Sequence, residues 1–105
     1  MRAAAVTGGK VAVGVQVEFK GMTLDQYDEA VKRMGFEPRG AGAPGSVFHC
    51  VAKTADGIRA TDVWETQEDF EKFAQEKIAP IAKEVGVQSQ PEIQYFDVHN
   101  YLTAG

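Results

Sequence analysis

Two histidines, His49 and His99, are the side chains in this 105-residue sequence whose ordinary titration falls near neutral pH. An imidazole beside a carboxylate is a base with an orienting partner, the arrangement that proton abstraction needs. Asp62 and Asp97 are the carboxylates that strand alternation sets near them. Trp64 is the single tryptophan, and an indole in a cavity wall stacks on flat ligands. Tyr95 and Tyr101 offer hydroxyls to a substrate oxygen, and Gln16 offers an amide. The catalytic candidates are therefore His99, His49, Asp62 and Asp97, and the substrate-binding candidates are Trp64, Tyr95, Tyr101 and Gln16. Each has a plainer role in view: hydrogen bonding and packing in a polar seam between two copies. Two His and a carboxylate could also hold iron. Their spacing fits no ligand motif, so no metal and no cofactor are expected.

These residues need a scaffold. Residues 11–19 alternate Val or Phe with Ala, Gly, Gln and Glu, which is the period of a strand. Gly21 ends it. Thr23 with Gln26 three residues on reads as a capping box, and Tyr27, Ala30, Val31 and Met34 form the apolar stripe of a helix closed by Gly35. Residues 36–46 are rich in Gly and Pro and read as a loop. Strands follow over 47–53 and 58–65. Thr66 caps a second helix with Phe70, Phe73, Ala74, Ile78, Ile81, Ala82 and Val85 on its buried side. Pro80 requires a kink or restart in it. Residues 92–102 make the last strand. The order is β-α-β-β-α-β, an α+β, ferredoxin-like four-stranded antiparallel sheet with both helices on one face. The bare face calls for a second copy, giving a homodimeric α/β barrel.

Asp56-Gly57 between two strand-like runs is a hairpin signal. With those two as the turn, His49 lies opposite Trp64, Val51 opposite Asp62 and Cys50 opposite Val63. Directly opposed residues share a face. One face then holds His49, Val51, Asp62 and Trp64. The other holds Phe48, Cys50, Thr61 and Val63, so Cys50 is expected as a small buried hydrophobe facing the helices. On the last strand, Ile93, Tyr95, Asp97, His99 and Tyr101 alternate with Gln94, Phe96, Val98, Asn100 and Leu102. The Phe96 and Val98 set reads as helix-facing core. The mixed aromatic and ionisable set joins His49, Asp62 and Trp64 on the uncovered face, with Gln16 and Gly14, to line a small-molecule cavity.

Composition bounds the rest. The net charge of −4 and pI near 5.1, with no basic run, argue against nucleic acid. No apolar stretch approaches the roughly 20 residues that span a bilayer, so no membrane partner is expected. The single cysteine precludes an internal disulfide. Together these predict a cytoplasmic protein with a flexible leader over 1–10, one domain over 11–102 and a tail over 103–105.

The run Asp62-Val63-Trp64-Glu65-Thr66-Gln67-Glu68-Asp69-Phe70-Glu71-Lys72-Phe73 resembles the strand-to-helix segment of the antibiotic biosynthesis monooxygenase-like, dimeric α/β-barrel proteins. There a strand ends in Trp, followed by a capping Ser or Thr, an acidic residue and Phe at helical spacing. The resemblance spans roughly residues 11 to 102, mostly as pattern. It implies a dimeric barrel and, for Trp64, a place in the cavity wall. It also implies cofactor-independent oxidation or rearrangement of a flat, hydrophobic, phenolic or polyketide-like substrate. The heme-degrading branch resembles a pattern with a ligating His on the helix after that Trp, and residues 66–85 contain no His. The cavity Asn of the oxygenases has no direct counterpart, Gln16 being the nearest substitute. A ligand-binding or sensing homodimer and a purely structural dimer are the alternatives.

Overall fold

A computed structural model describes residues 11–103, so the leader expected over 1–10 and the last two residues of the expected tail lie outside the described residues. The strands are β1 (Ala12–Lys20), β2 (Ser46–Lys53), β3 (Gly57–Trp64) and β4 (Glu92–Val98). Helix α1 is Leu24–Arg33. A second helical stretch runs as α2 (Gln67–Phe73), a wide turn (Ala74–Ile78) and α3 (Ala79–Glu84). The sheet order is β2-β3-β1-β4, with every neighbouring pair antiparallel. This is the ferredoxin-like α+β arrangement that the alternation of strand and helix periods predicts.

Local chemistry sets the boundaries. Gly21 turns out of β1 at φ +80°, a region costly for a residue with a Cβ. Thr23 then caps α1 reciprocally: its hydroxyl accepts from Gln26 N–H, and the Gln26 side chain accepts from Thr23 N–H. Thr66 caps α2 by accepting from Asp69 N–H. The interruption expected at Pro80 takes the form of a widened turn. Ala79 N–H bonds Ala74 O five residues back. Pro80 has no N–H to offer the preceding turn, and widening the helix just before it accommodates the gap.

The core lies between the sheet and the helices. Val13, Val15, Val17 and Phe19 of β1 meet Ile58, Ala60 and Trp64 of β3, and Phe70 and Ile81 close over them. Val15, Ile58, Trp64 and Phe70 are the largest fully buried side chains. Burying one such side chain contributes about 1.5–3 kcal/mol.

The hairpin register differs from the sequence expectation by two residues. Lys53 pairs with Ile58 and His49 with Asp62. Gly57 belongs to β3, where a Cβ would stand 1.9 Å from Phe19 O. Glycine is therefore needed here for close approach to β1, and the turn falls one step earlier in the chain. A two-residue shift keeps every side chain on its face. His49, Asp62 and Trp64 thus share a face as expected, but that face is the one the helices cover. Val15 pairs with Asp62 on one side and Tyr95 on the other, which puts the β1 valine stripe in the same layer.

The opposite, uncovered face carries Gly14, Gln16, Phe48, Cys50, Thr61 and Phe96. Cys50 is exposed, which corrects its expected place against the helices. Phe96 is 45% exposed and Phe48 46%. Phe96 lies over Gly14, where a Cβ would come within 2.0 Å of its ring. No turn ties β1 or β4 to the hairpin, so this fit of ring to glycine was invisible to the alternation pattern.

Candidate functional site

β2 and β3 place His49 directly opposite Asp62, and β3 places Trp64 two residues beyond Asp62 on the same face. The sheet geometry alone therefore converges three of the candidate side chains. His49 Nδ1 donates to Asp62 Oδ1 at 2.7 Å. Trp64 Nε1 donates to the other oxygen, Oδ2, at 2.9 Å. Asp62 is 5% exposed and Trp64 2%. A carboxylate so deeply placed needs partners for both oxygens, and these two N–H groups supply them. Among the described residues no buried side-chain nitrogen or oxygen is left without a partner.

Accepting at both oxygens fixes the histidine. With Nδ1–H held by Asp62, Nε2 presents its lone pair outward. There it meets Tyr27 of α1, whose Oη lies 2.5 Å away. The two ring planes are nearly parallel, at 17°, with centroids 6.0 Å apart. The Tyr27 hydroxyl donates its hydrogen to the Nε2 lone pair across this short contact. The result is a hydrogen-bonded row from buried to half-exposed: Trp64, Asp62, His49, Tyr27. Burial, then the Asp62 charge, pushes the Tyr27 phenol up to about 12. Tyr27 is thus a neutral hydroxyl over the whole physiological range.

Aromatic rings brace the row from behind. Phe70 meets Trp64 edge-on at 5.6 Å, and Phe73 packs against it at 5.4 Å. Tyr95 joins through Phe70, edge-on at 6.0 Å, and its hydroxyl donates to Glu71 Oε2 at 3.3 Å. Burial and the Glu71 carboxylate raise the Tyr95 phenol above its ordinary range. Asp97 pairs with Val13, which pairs on its other side with Trp64, so Asp97 shares the layer.

Three candidates stand elsewhere. Gln16 faces the uncovered side, where it donates to Glu18 Oε2 at 3.3 Å, because β1 turns its valines, not its even-numbered residues, towards the helices. His99 and Tyr101 lie past Val98, the last residue of β4, and both are exposed. The strand period that was expected to carry them to residue 102 stops short. Among the described residues no group of three or more His, Cys, Asp or Glu side chains is placed to hold a metal ion, so the two-His, one-carboxylate arrangement is not formed there.

Tyr27 is the residue that sequence reasoning missed. It reads as one member of the α1 apolar stripe. A tyrosine in a buried stripe must still satisfy its hydroxyl, and that requirement was the available signal. Two surface depressions, lined by Met22, Lys53 and Gly57 and by Lys20, Val87 and Ser89, sit at the hairpin end of the sheet and include none of the row.

No helix among the described residues is long and apolar enough to cross a membrane. No protein-family model and no curated protein matches the chain. Solved structures do. A mutant of SnoaB, a cofactor-independent oxygenase from Streptomyces nogalater, is similar with a TM-score of 0.57 and 17% identity, over 90% of this chain and 99% of that one. A second SnoaB structure gives 0.56 and 19%, over 89% and 97%. A conserved protein from Methanosarcina mazei gives 0.57 at 9% identity, over 85% and 94%. At such identities the likeness speaks to architecture: the chain shares the ferredoxin-like fold of these structures.

Proposed function

We propose that this chain is a small-molecule enzyme of the antibiotic biosynthesis monooxygenase-like type, a cytoplasmic homodimer that oxidises a flat, hydrophobic, phenolic or polyketide-like substrate without a cofactor. The observation that carries the reading is the 2.7 Å bond from His49 to a buried Asp62 whose other oxygen is held by Trp64. A histidine oriented by a buried carboxylate is built to take up a proton, since the charge it gains is matched by a fixed opposite charge. The structural likeness to SnoaB, a cofactor-independent oxygenase, supports the same kind of chemistry.

The reaction follows from proton removal. His49 takes a substrate proton, leaving a delocalised carbanion. The carbanion gives one electron to dioxygen, and the two radicals combine as a peroxide. Reprotonation and loss of water leave a carbonyl, so two hydrogens and one oxygen atom depart as water. Asp62 balances the imidazolium in the interval. Trp64, Phe70 and Phe73 pack against one another behind the row and hold Asp62 and His49 in place. His99 and Asp97 take no part in this scheme.

Dimerisation covers the open sheet face. Phe48 and Phe96, each nearly half exposed on it, supply the apolar centre of that contact.

Titrating the intrinsic fluorescence of Trp64, the single tryptophan, with the anthrone dithranol tests the ligand half of the proposal. Saturable quenching is expected. A linear, unsaturable loss of signal with dithranol and with hemin alike would leave Trp64 as packing and remove the proposed site.

A further inference from the structure

We infer that Tyr27 Oη is the group that meets the substrate, and that the substrate presents to it an acidic hydroxyl, phenolic or enolic, whose proton reaches His49 through the tyrosine. This inference rests on the reading of His49 as base and deepens it. The geometry leaves His49 no other way to act without rearrangement. Nδ1 is committed to Asp62 at 2.7 Å, and the Nε2 lone pair is occupied by Tyr27 at 2.5 Å. A substrate reaching Nε2 directly would first have to break that second bond and turn the α1 side chain away. A substrate hydroxyl bonding Tyr27 Oη breaks nothing. The phenol oxygen has acceptor capacity beyond the hydrogen it donates. Among the described residues no donor occupies that capacity, and the contact between Tyr27 and His49 lies on the exposed side of the row.

The transfer balances. The substrate O–H bond breaks and its proton bonds to Tyr27 Oη. The original Tyr27 O–H bond breaks and that proton bonds to His49 Nε2. Tyr27 ends as it began, neutral. The substrate becomes an oxyanion sharing its charge with ring carbon, and His49 becomes an imidazolium against Asp62. The 2.5 Å separation of Tyr27 Oη and His49 Nε2 keeps the second hop short. The high affinity of Tyr27 for its proton suits a group that relays charge without holding it. The substrate class narrows accordingly: a flat ring system with an ionisable hydroxyl, whose anion has carbanion character at an adjacent ring position.

The test uses the full chain and 2-naphthol, a flat phenol whose absorption reports its ionisation. Binding is followed by Trp64 fluorescence in the wild type and in Tyr27→Phe, His49→Gln and the distant control His99→Gln. The fraction of bound probe present as naphtholate is read at pH 7.5. The expected result is at least a tenfold enrichment of naphtholate over free solution in the wild type and in His99→Gln. That enrichment should be lost in both Tyr27→Phe and His49→Gln, with binding retained. Enrichment that survives in Tyr27→Phe but not in His49→Gln would overturn the relay and leave His49 as a direct base. Enrichment unchanged in His49→Gln, absent from the wild type, or no saturable binding at all would overturn both the relay and the base reading. Circular dichroism of each variant shows whether a loss comes from unfolding, and Tyr27→Met, which keeps a large apolar side chain on α1 but no hydroxyl and adds no tryptophan, replaces Tyr27→Phe should the latter fail to fold.

Discussion

Replacing Asp62 by Asn changes one atom and reverses the logic of the row. The carboxylate accepts from His49 Nδ1–H at 2.7 Å and from Trp64 Nε1–H at 2.9 Å. An amide has one oxygen and one NH2 group. Trp64 N–H is donor only and 2% exposed, so the oxygen is claimed by the indole. The amide NH2 then faces Nδ1, which must become the acceptor. His49 moves its hydrogen to Nε2, and the lone pair offered to Tyr27 disappears. Stability falls through the loss of one charge-assisted bond, worth about 1.5–3 kcal/mol where buried. The lower end applies, because the His49 side chain is 39% exposed. For a domain of this size the melting temperature should drop by on the order of 10 °C. Histidine ring NMR on Asp62→Asn in a His99→Gln background, where His49 is the only imidazole, reads the tautomer directly. A hydrogen still on Nδ1, or a melting temperature within about 2 °C of the parent, would refute the claim that Asp62 sets the histidine.

Further outcomes follow from the same geometry. Trp64→Phe keeps a ring but leaves a buried carboxylate oxygen without its donor, and should cost about 1–3 kcal/mol in urea denaturation. The Tyr27 phenol is higher in the folded chain, about 12, than the ordinary value near 10. Its contribution is therefore complete below pH 10 and lost as pH rises through about 12. The urea midpoint of the wild type should fall more steeply from pH 9 to 11.5 than that of Tyr27→Phe, and equal slopes would count against burial of that hydroxyl. Phe96→Asp on the uncovered face should convert the proposed dimer to monomer in sedimentation without unfolding it, whereas a wild-type monomer would remove the dimer itself.

The fold was legible because its signals are local. The β1 alternation, the Thr23 and Thr66 caps and the Asp-Gly turn each act over a few residues, and together they dictate element order. The face shared by His49, Asp62 and Trp64 was legible too, since an even error in hairpin register preserves side-chain alternation. Which face the helices cover was not. That depends on how β1 and β4 pair across the sheet, and those pairings are fixed by contacts distant in sequence, such as the Phe96 ring over Gly14. The same error put Gln16 in the site and Cys50 in the core. Tyr27 was hidden for a related reason: its partner lies 22 residues away on a strand, and helical periodicity reports only that a residue is inward-facing.

The account rests on His49 as a base held by Asp62, and oxygen uptake tests it most directly. Dithranol is mixed with wild type, His49→Gln and His99→Gln in an oxygen electrode, with product followed by absorbance. The wild type and His99→Gln should consume one dioxygen per quinone formed, well above the spontaneous rate. His49→Gln should fall by about 10²–10⁴-fold with its melting curve largely retained. Uptake equal in wild type and His49→Gln, or no uptake above background in any of the three, would contradict the account.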